Sequence, residues 1–334
     1  MTTNHDRPPQ ELPHLRGTDS GLLSAVVAGE ARLTCDQALE LFHTLPLPTL
    51  GRWADARCRA IHGDTLRTYI IDRNINYTNV CTARCTFCAF YRTGKESDSY
   101  TLSHAQIHEK IAELQAIGGT QILMQGGMNP ELPLDWYIEL LRSIKEKFPK
   151  IHVHAFSPPE FVEFVNFFNP PGERFADKVR WVMVRLREAG LDSLPGGGGE
   201  IFANPVRSKI GMGKCDADAW LTVMLVAQEL GMFTSATMMF GHIEGYADRI
   251  HHMKLVREWQ DRALHRGREA MGRSPERASG AVPTARRHSP FGFYKAFISW
   301  PFQRENTPLG RLRDWGHVPE EWDQPFPGDV VAAA

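Results

Sequence analysis

The run from Tyr69 to Val80 reads as a β-strand, and it ends directly in three cysteines, Cys81, Cys85 and Cys88. Half of the six cysteines therefore fall within eight consecutive residues. Disulfides do not account for them, because three thiols leave one unpaired and the opening residues lack the apolar core of a secretory signal. Thiolates gathered this closely suit a soft metal or an iron–sulfur cluster. A purely electron-carrying cluster is normally closed by four protein thiolates, and no fourth cysteine lies nearby. A C-x3-C-x2-C loop leaves one iron open, and an open metal position is where a substrate or cosubstrate binds. The competing reading is a structural zinc loop completed by Cys58 or a histidine, although zinc sites more often pair cysteines as C-x2-C.

The rest of the chain gives this loop a scaffold. With 334 residues, 42% hydrophobic and 23% charged, it has enough apolar content for one barrel-sized domain or two modest ones. A net charge of −1 argues against general nucleic-acid binding, and no apolar run reaches membrane-spanning length. The expected location is the cytoplasm. Residues 1–17 read as a disordered tail. Residues 18–64 read as a helical cover, with a capping box at Thr34 and Gln37 and a second helix over 47–62. From 65 to 302 strands and helices alternate. Strands are expected at 66–80, 120–125, 151–156, 192–195, 233–241 and 293–300, with helices stopping at Gly118, Gly190 and Gly231. Repeated βα units predict an α/β fold, a TIM-type (βα) barrel with six units present, which is a partial barrel. In such folds the chemistry sits beyond the C-terminal ends of the strands, and the unusual residues here fall there. Residues 262–290 are arginine-rich and read as a flexible insertion, and 303–334 as an irregular tail.

The cysteine spacing, with Phe87 before the last cysteine, resembles the signature of the radical S-adenosylmethionine (SAM) superfamily. The match narrows when other phrases are added. These are RNINYTNVC at 73–81, CAFYR at 88–92, GGTQILMQGG at 118–127, HAFSPPE at 154–160 and GLDSLPGGGGE at 190–200. TMMFGH at 237–242 and WPFQ at 300–303, with Asn306 and Thr307, complete the set. Together they resemble the cyclic dehypoxanthine futalosine synthases of menaquinone biosynthesis. The resemblance implies a [4Fe-4S] cluster held by Cys81, Cys85 and Cys88, with SAM chelated to the open iron. It implies a low-potential electron donor such as flavodoxin or ferredoxin. It also implies a 5′-deoxyadenosyl radical that removes the ribosyl C4′ hydrogen of dehypoxanthine futalosine, whose carbon radical then closes a spiro ring. Aminofutalosine synthase and deazaflavin-forming radical enzymes resemble the chain around the cluster loop. A shortened remnant that binds a cluster or zinc without turnover is the alternative of another class.

Roles then follow residue by residue, several with two readings. Gln125, Gly126 and Gly127 bring backbone groups to the methionyl amine, or form a plain βα turn. Gly196 to Gly199 permit close approach, and Glu200 accepts from ribose hydroxyls. Arg207 pairs with the cosubstrate carboxylate or lies on the surface. Alternation on the third strand puts His152, His154 and Phe156 inside the barrel. His154 there binds substrate or takes the late proton, or is a satisfied structural histidine; His242 has the same readings. Glu160 is a base or a helix cap. Lys295 and Trp300 are candidates for substrate contact, with core packing the competing role for Trp300.

Overall fold

A computed structural model describes residues 20–63, 67–211, 213–270 and 291–311. Two compact units divide the chain at Thr68 and Tyr69. The first holds α1 (Ser20–Ala28), α2 (Cys35–Thr44) and α3 (Leu47–His62). Thr34 and Gln37 exchange side chain and backbone N–H across the start of α2, satisfying donors that a bare helix end would leave orphaned. Arg57 on α3 donates to the Val27 carbonyl at 2.9 Å, tying α3 to α1.

The second unit is a six-stranded parallel sheet, β1 (Asp72–Asn76), β2 (Gln121–Gln125), β3 (His152–Ala155), β4 (Ser193–Leu194), β5 (Phe233–Phe240) and β6 (Tyr294–Pro301), in that spatial order. Sequential parallel neighbours joined by helices curl into a partial barrel. The helices are α4 (His104–Ala116), α5 (Leu134–Lys147), α6 (Pro158–Phe168), α7 (Phe175–Ala189), α8 (Asn204–Ile210), α9 (Ala217–Glu229) and α10 (Tyr246–Ala270). Ser103 and Gln106 cap α4 reciprocally, as Thr34 and Gln37 cap α2. Tyr137, Leu140, Leu141 and Ile144 recur on one face of α5 and are all buried. Each such side chain contributes roughly 1.5–3 kcal/mol on leaving water.

Strand alternation sorts the two faces. On β2, Ile122 and Met124 are fully buried under the helices, while Gln121, Leu123 and Gln125 line an inner cavity. On β3, Val153 and Ala155 take the helix side, and His152 and His154 face the cavity.

Four expectations need correction. Phe156 does not continue the inward series: its φ of +60 leaves the extended region, and its ring packs with Tyr77, Tyr137 and Phe164 in the core. The first strand is shorter than its apolar run, with Tyr69 and Ile70 exposed ahead of it. α10 continues to Ala270, so residues 262–270 are helix rather than insertion; 271–290 lie outside the described residues. Residues 303–311 are not loose either. A short 3-10 helix at Leu309–Arg311 buries Leu309, whose N–H donates to the Thr86 carbonyl in the cysteine loop at 2.7 Å. The expected tails at 1–17 and beyond 311 lie outside the described residues.

Candidate active site

The cysteine loop leaves β1 and is held from several sides. The Thr82 N–H donates to the Met128 carbonyl beyond β2, and the Thr86 N–H donates to the Ile210 carbonyl at the end of α8. Arg92 closes the loop: its backbone bonds Asn79 and Cys81, and its guanidinium grips Asp98 at 2.8 and 2.6 Å. Arg84, between the first two cysteines, sits at φ +50, a left-handed turn that bends the loop back. Gly127 fits only as glycine, because a Cβ there would lie 2.1 Å from the Val80 carbonyl and 2.9 Å from the Cys81 Cβ.

All three cysteines line a cavity of about 820 Å³ on the inner face of the barrel. Gln125, Gly126, Gly127, Glu200 and His154 line it too. The sequence-predicted residues that the fold brings together are therefore the three thiols, the β2 turn, Glu200, His154, Glu160, Lys295 and Trp300. The N–H groups of Gly126 and Gly127 are committed to Glu160 and the Thr78 carbonyl, so an amine here would use a carbonyl.

Glu160 reaches this wall only as a brace. It is 2% exposed, and it accepts from the Tyr77 hydroxyl at 2.5 Å, the Gly126 N–H, and both the N–H and hydroxyl of Ser157. Burial pushes its pKa up, and those donors work in the opposite direction. With both oxygens engaged it caps α6 and anchors the β2 turn, so the general-base reading does not fit.

Arg207 and His242 lie outside the cavity lining. Arg207 is buried with its guanidinium on the carbonyls of Gly198, Gly199, Ile201 and Cys215. It organises the glycine run, with its guanidinium committed to those carbonyls. His242 is fully buried, with Nδ1 3.2 Å from the Glu244 carboxylate and Nε2 near the Met239 carbonyl. Glu244 in turn pairs with Arg249 at 2.8 Å, so the group braces the turn after β5.

Lys214 carries no motif, yet it lines the cavity and pairs with Glu200 at 2.8 Å. Its ammonium also lies 4.8 Å from the Phe87 ring. Burial opposes that charge, but the Glu200 carboxylate and its hydrogen bond outweigh it and hold Lys214 protonated. The other carboxylate oxygen of Glu200, Oε2, is buried without a hydrogen-bond partner.

Two observations test the fit of a cluster with its cosubstrate. Burial pushes the Cys85 thiol up to about 12 against the pull of Lys214, so the free thiol is neutral and a metal binding there would have to displace its proton. Glu200 lines the same cavity with one oxygen on Lys214, while its Oε2 is buried without a hydrogen-bond partner. Among the described residues no three His, Cys, Asp or Glu gather closely enough for a single metal ion, but Cys81, Cys85 and Cys88 share one cavity and would be the ligands of a cluster, with Glu200, beside Lys214, for the nucleoside.

The far side of the cavity carries a second polar group. The Ser193 hydroxyl on β4 lies 2.7 Å from His152 Nε2 and 2.6 Å from His154 Nδ1. Burial, with His152 beside it, holds His154 down at about 4, so its ring is neutral at physiological pH.

A (βα) partial barrel with an open three-cysteine rim defines a radical SAM protein, and the family model of the Radical SAM superfamily matches residues 75–256. The chain belongs to that superfamily, whose members use a [4Fe-4S] cluster and SAM. It is 37% identical to the cyclic dehypoxanthine futalosine synthase of Halalkalibacterium halodurans, over 88% of this chain and 70% of that protein. The FO synthase of Mycobacterium leprae is 34% identical over 87% of this chain, which spans only 30% of that longer protein. Among solved structures, methylornithine synthase superposes with a TM-score of 0.56 at 17% identity, covering 87% of this chain and 71% of its own, a likeness of fold.

Proposed function

We propose that this protein is a radical SAM cyclase that closes dehypoxanthine futalosine to its cyclic form, taking electrons from a low-potential donor such as flavodoxin or ferredoxin. The observation that carries the reading is 37% identity to the cyclase over 88% of the chain. A cavity of about 820 Å³ is ample for SAM beside a nucleoside-like substrate.

When bound, the cluster and SAM supply a 5′-deoxyadenosyl radical. The chain supplies placement and shielding. Glu200 fixes the nucleoside end, and the glycine run lets the backbone close on it. Leu123, Phe87, Ile298 and Trp300 form apolar walls that keep water from the reacting carbons. Ring closure ends with loss of an electron, returned to the cluster held by Cys81, Cys85 and Cys88 when it is bound, and of a proton. His154 takes the proton at Nε2, passes its Nδ1 proton to Ser193 Oγ, and Ser193 passes its own to His152 at the exposed edge. No carboxylate is needed as base, which agrees with Glu160 being engaged elsewhere.

A second reading, FO synthase chemistry, is favoured by the 34% identity over 87% of the chain. The two separate in one experiment. Oxygen-free, cluster-reconstituted and reduced protein is incubated with SAM and either dehypoxanthine futalosine or the substrates of FO synthase, and 5′-deoxyadenosine is quantified. Formation that depends on dehypoxanthine futalosine, with a product lighter by a pair of hydrogen atoms, supports the cyclase. Formation that depends on the other substrates moves the assignment to FO synthase chemistry, and absence of cleavage points to a non-catalytic remnant.

A further inference from the structure

Lys295 does not sit where a regular strand would put it. Inward positions on β6 should alternate, and Ala296, Ile298 and Trp300 do line the cavity. Lys295 lines it as well, next to Ala296. The reason is a bulge. Thr234 on β5 pairs with Tyr294 and Ser235 pairs with Ala296, so Lys295 is the extra residue of the ladder. Such an insertion bends the strand and re-aims one side chain. Gln260 on α10 pins it, accepting from the Tyr294 N–H at 2.8 Å and donating to the Tyr294 carbonyl at 3.1 Å. Tyr294 is thereby held against the helices, its ring stacked near Trp220, and the next residue is turned inward.

The Lys295 ammonium rests 4.4 Å from the centre of the Phe233 ring, which also lines the cavity. Among the described residues no carboxylate lies within ion-pair distance of it. The registers place it at one end of the barrel: Asp72, Gln121 and His152 pair across β1, β2 and β3, and Ser193 pairs with Phe233. The cysteine loop begins at the other end. Asp72 and Tyr77 lie five residue steps apart along β1 and its extension, about 16 Å at roughly 3.3 Å per step. A substrate reacting at the cluster end and carrying an anion at its far end would span that length.

We propose that Lys295, set on Phe233 and presented by the β6 bulge, anchors a carboxylate on an aromatic part of the substrate. A monoanion fits better than a phosphate dianion, because the Asp72 carboxylate lines the same end. His152 adds a polar edge beside it. The assignment deepens the cyclase reading, and rests on it only in naming the aryl carboxylate of dehypoxanthine futalosine as the group bound.

The test uses cluster-reconstituted full-length protein and simple probes: benzoate, benzamide and inorganic phosphate, titrated by ligand-observed NMR into wild type, Lys295→Met and Lys295→Arg. Wild type is expected to bind benzoate at least about tenfold tighter than benzamide or phosphate, as one charge-assisted contact allows. Lys295→Met should lose that preference and Lys295→Arg should keep it, while both retain cluster absorbance. Benzoate binding unchanged in Lys295→Met, or absent in wild type, overturns the anchor; so does equal binding of phosphate. Because no turnover is involved, the result stands whether or not dehypoxanthine futalosine proves to be the substrate.

Discussion

At the scale of single residues, the site depends on what each side chain has already committed to. Cys85 is 4% exposed in a small apolar cluster with Ala83 and Met128, so its thiol has little to gain from ionising without metal. Cys85→Ala should abolish cluster absorbance and SAM cleavage after anaerobic reconstitution, with the far-UV circular dichroism unchanged. Removing one small buried side chain costs about 1 kcal/mol, too little to unfold the barrel. A variant that still carried a full cluster would mean the ligand set is wrong. The same commitment argument separates Glu160 from Glu200. Two carboxylates that line the cavity look alike in sequence, yet one has four donors and the other an orphaned oxygen.

At the scale of elements, α8 and its arginine show why some of the site was legible and some was not. The strands were readable because apolar and polar residues alternate, and the starts of α2 and α4 because a capping box is a local signal. Local signals also located the three thiols and the glycine turns. α8 is only a turn or two long and opens with Asn204 and Pro205, so its periodicity was too brief to read. The Arg207 bonds run to carbonyls brought near by folding, and the Lys214–Glu200 pair spans a loop that no motif describes. Phe156 needed a positive φ that alternation cannot foresee, and Lys295, named from the sequence as a candidate for substrate contact, reaches the cavity through a bulge that the sequence does not show. Arg207→Met should strand the carbonyls of Gly198 and Gly199 and destabilise the protein by about 2 kcal/mol. The check is a urea titration. A neutral outcome would return Arg207 to a surface or ligand-binding role.

At the scale of the whole molecule, buried neutral histidines couple stability to pH. Burial holds His154 down at about 4 and His252 at about 3, and His152 is shifted the same way. Folded values below the unfolded one mean the unfolded chain takes up protons first as pH falls. The stability these rings contribute is complete above the ordinary histidine range, about 6.5, and is lost progressively from there toward about 4. Glu160, whose pKa is raised, acts in the opposite sense where it titrates. The midpoint of thermal unfolding should therefore fall between pH 7 and pH 5, with a shallower fall in His154→Gln. A flat profile in wild type would show these rings to be more solvated than their burial indicates.

The whole-molecule reading also sets the two ends of the barrel to different tasks, with radical generation beneath the cysteine loop and substrate anchoring at the β6 bulge. Its most direct test follows the hydrogen atom. Dehypoxanthine futalosine deuterated at the ribosyl C4′ is incubated with reconstituted, reduced protein and SAM, and 5′-deoxyadenosine is analysed by mass spectrometry. The account predicts 5′-deoxyadenosine carrying a single deuterium, formed together with the cyclised product; unlabelled 5′-deoxyadenosine, or none at all, would contradict it.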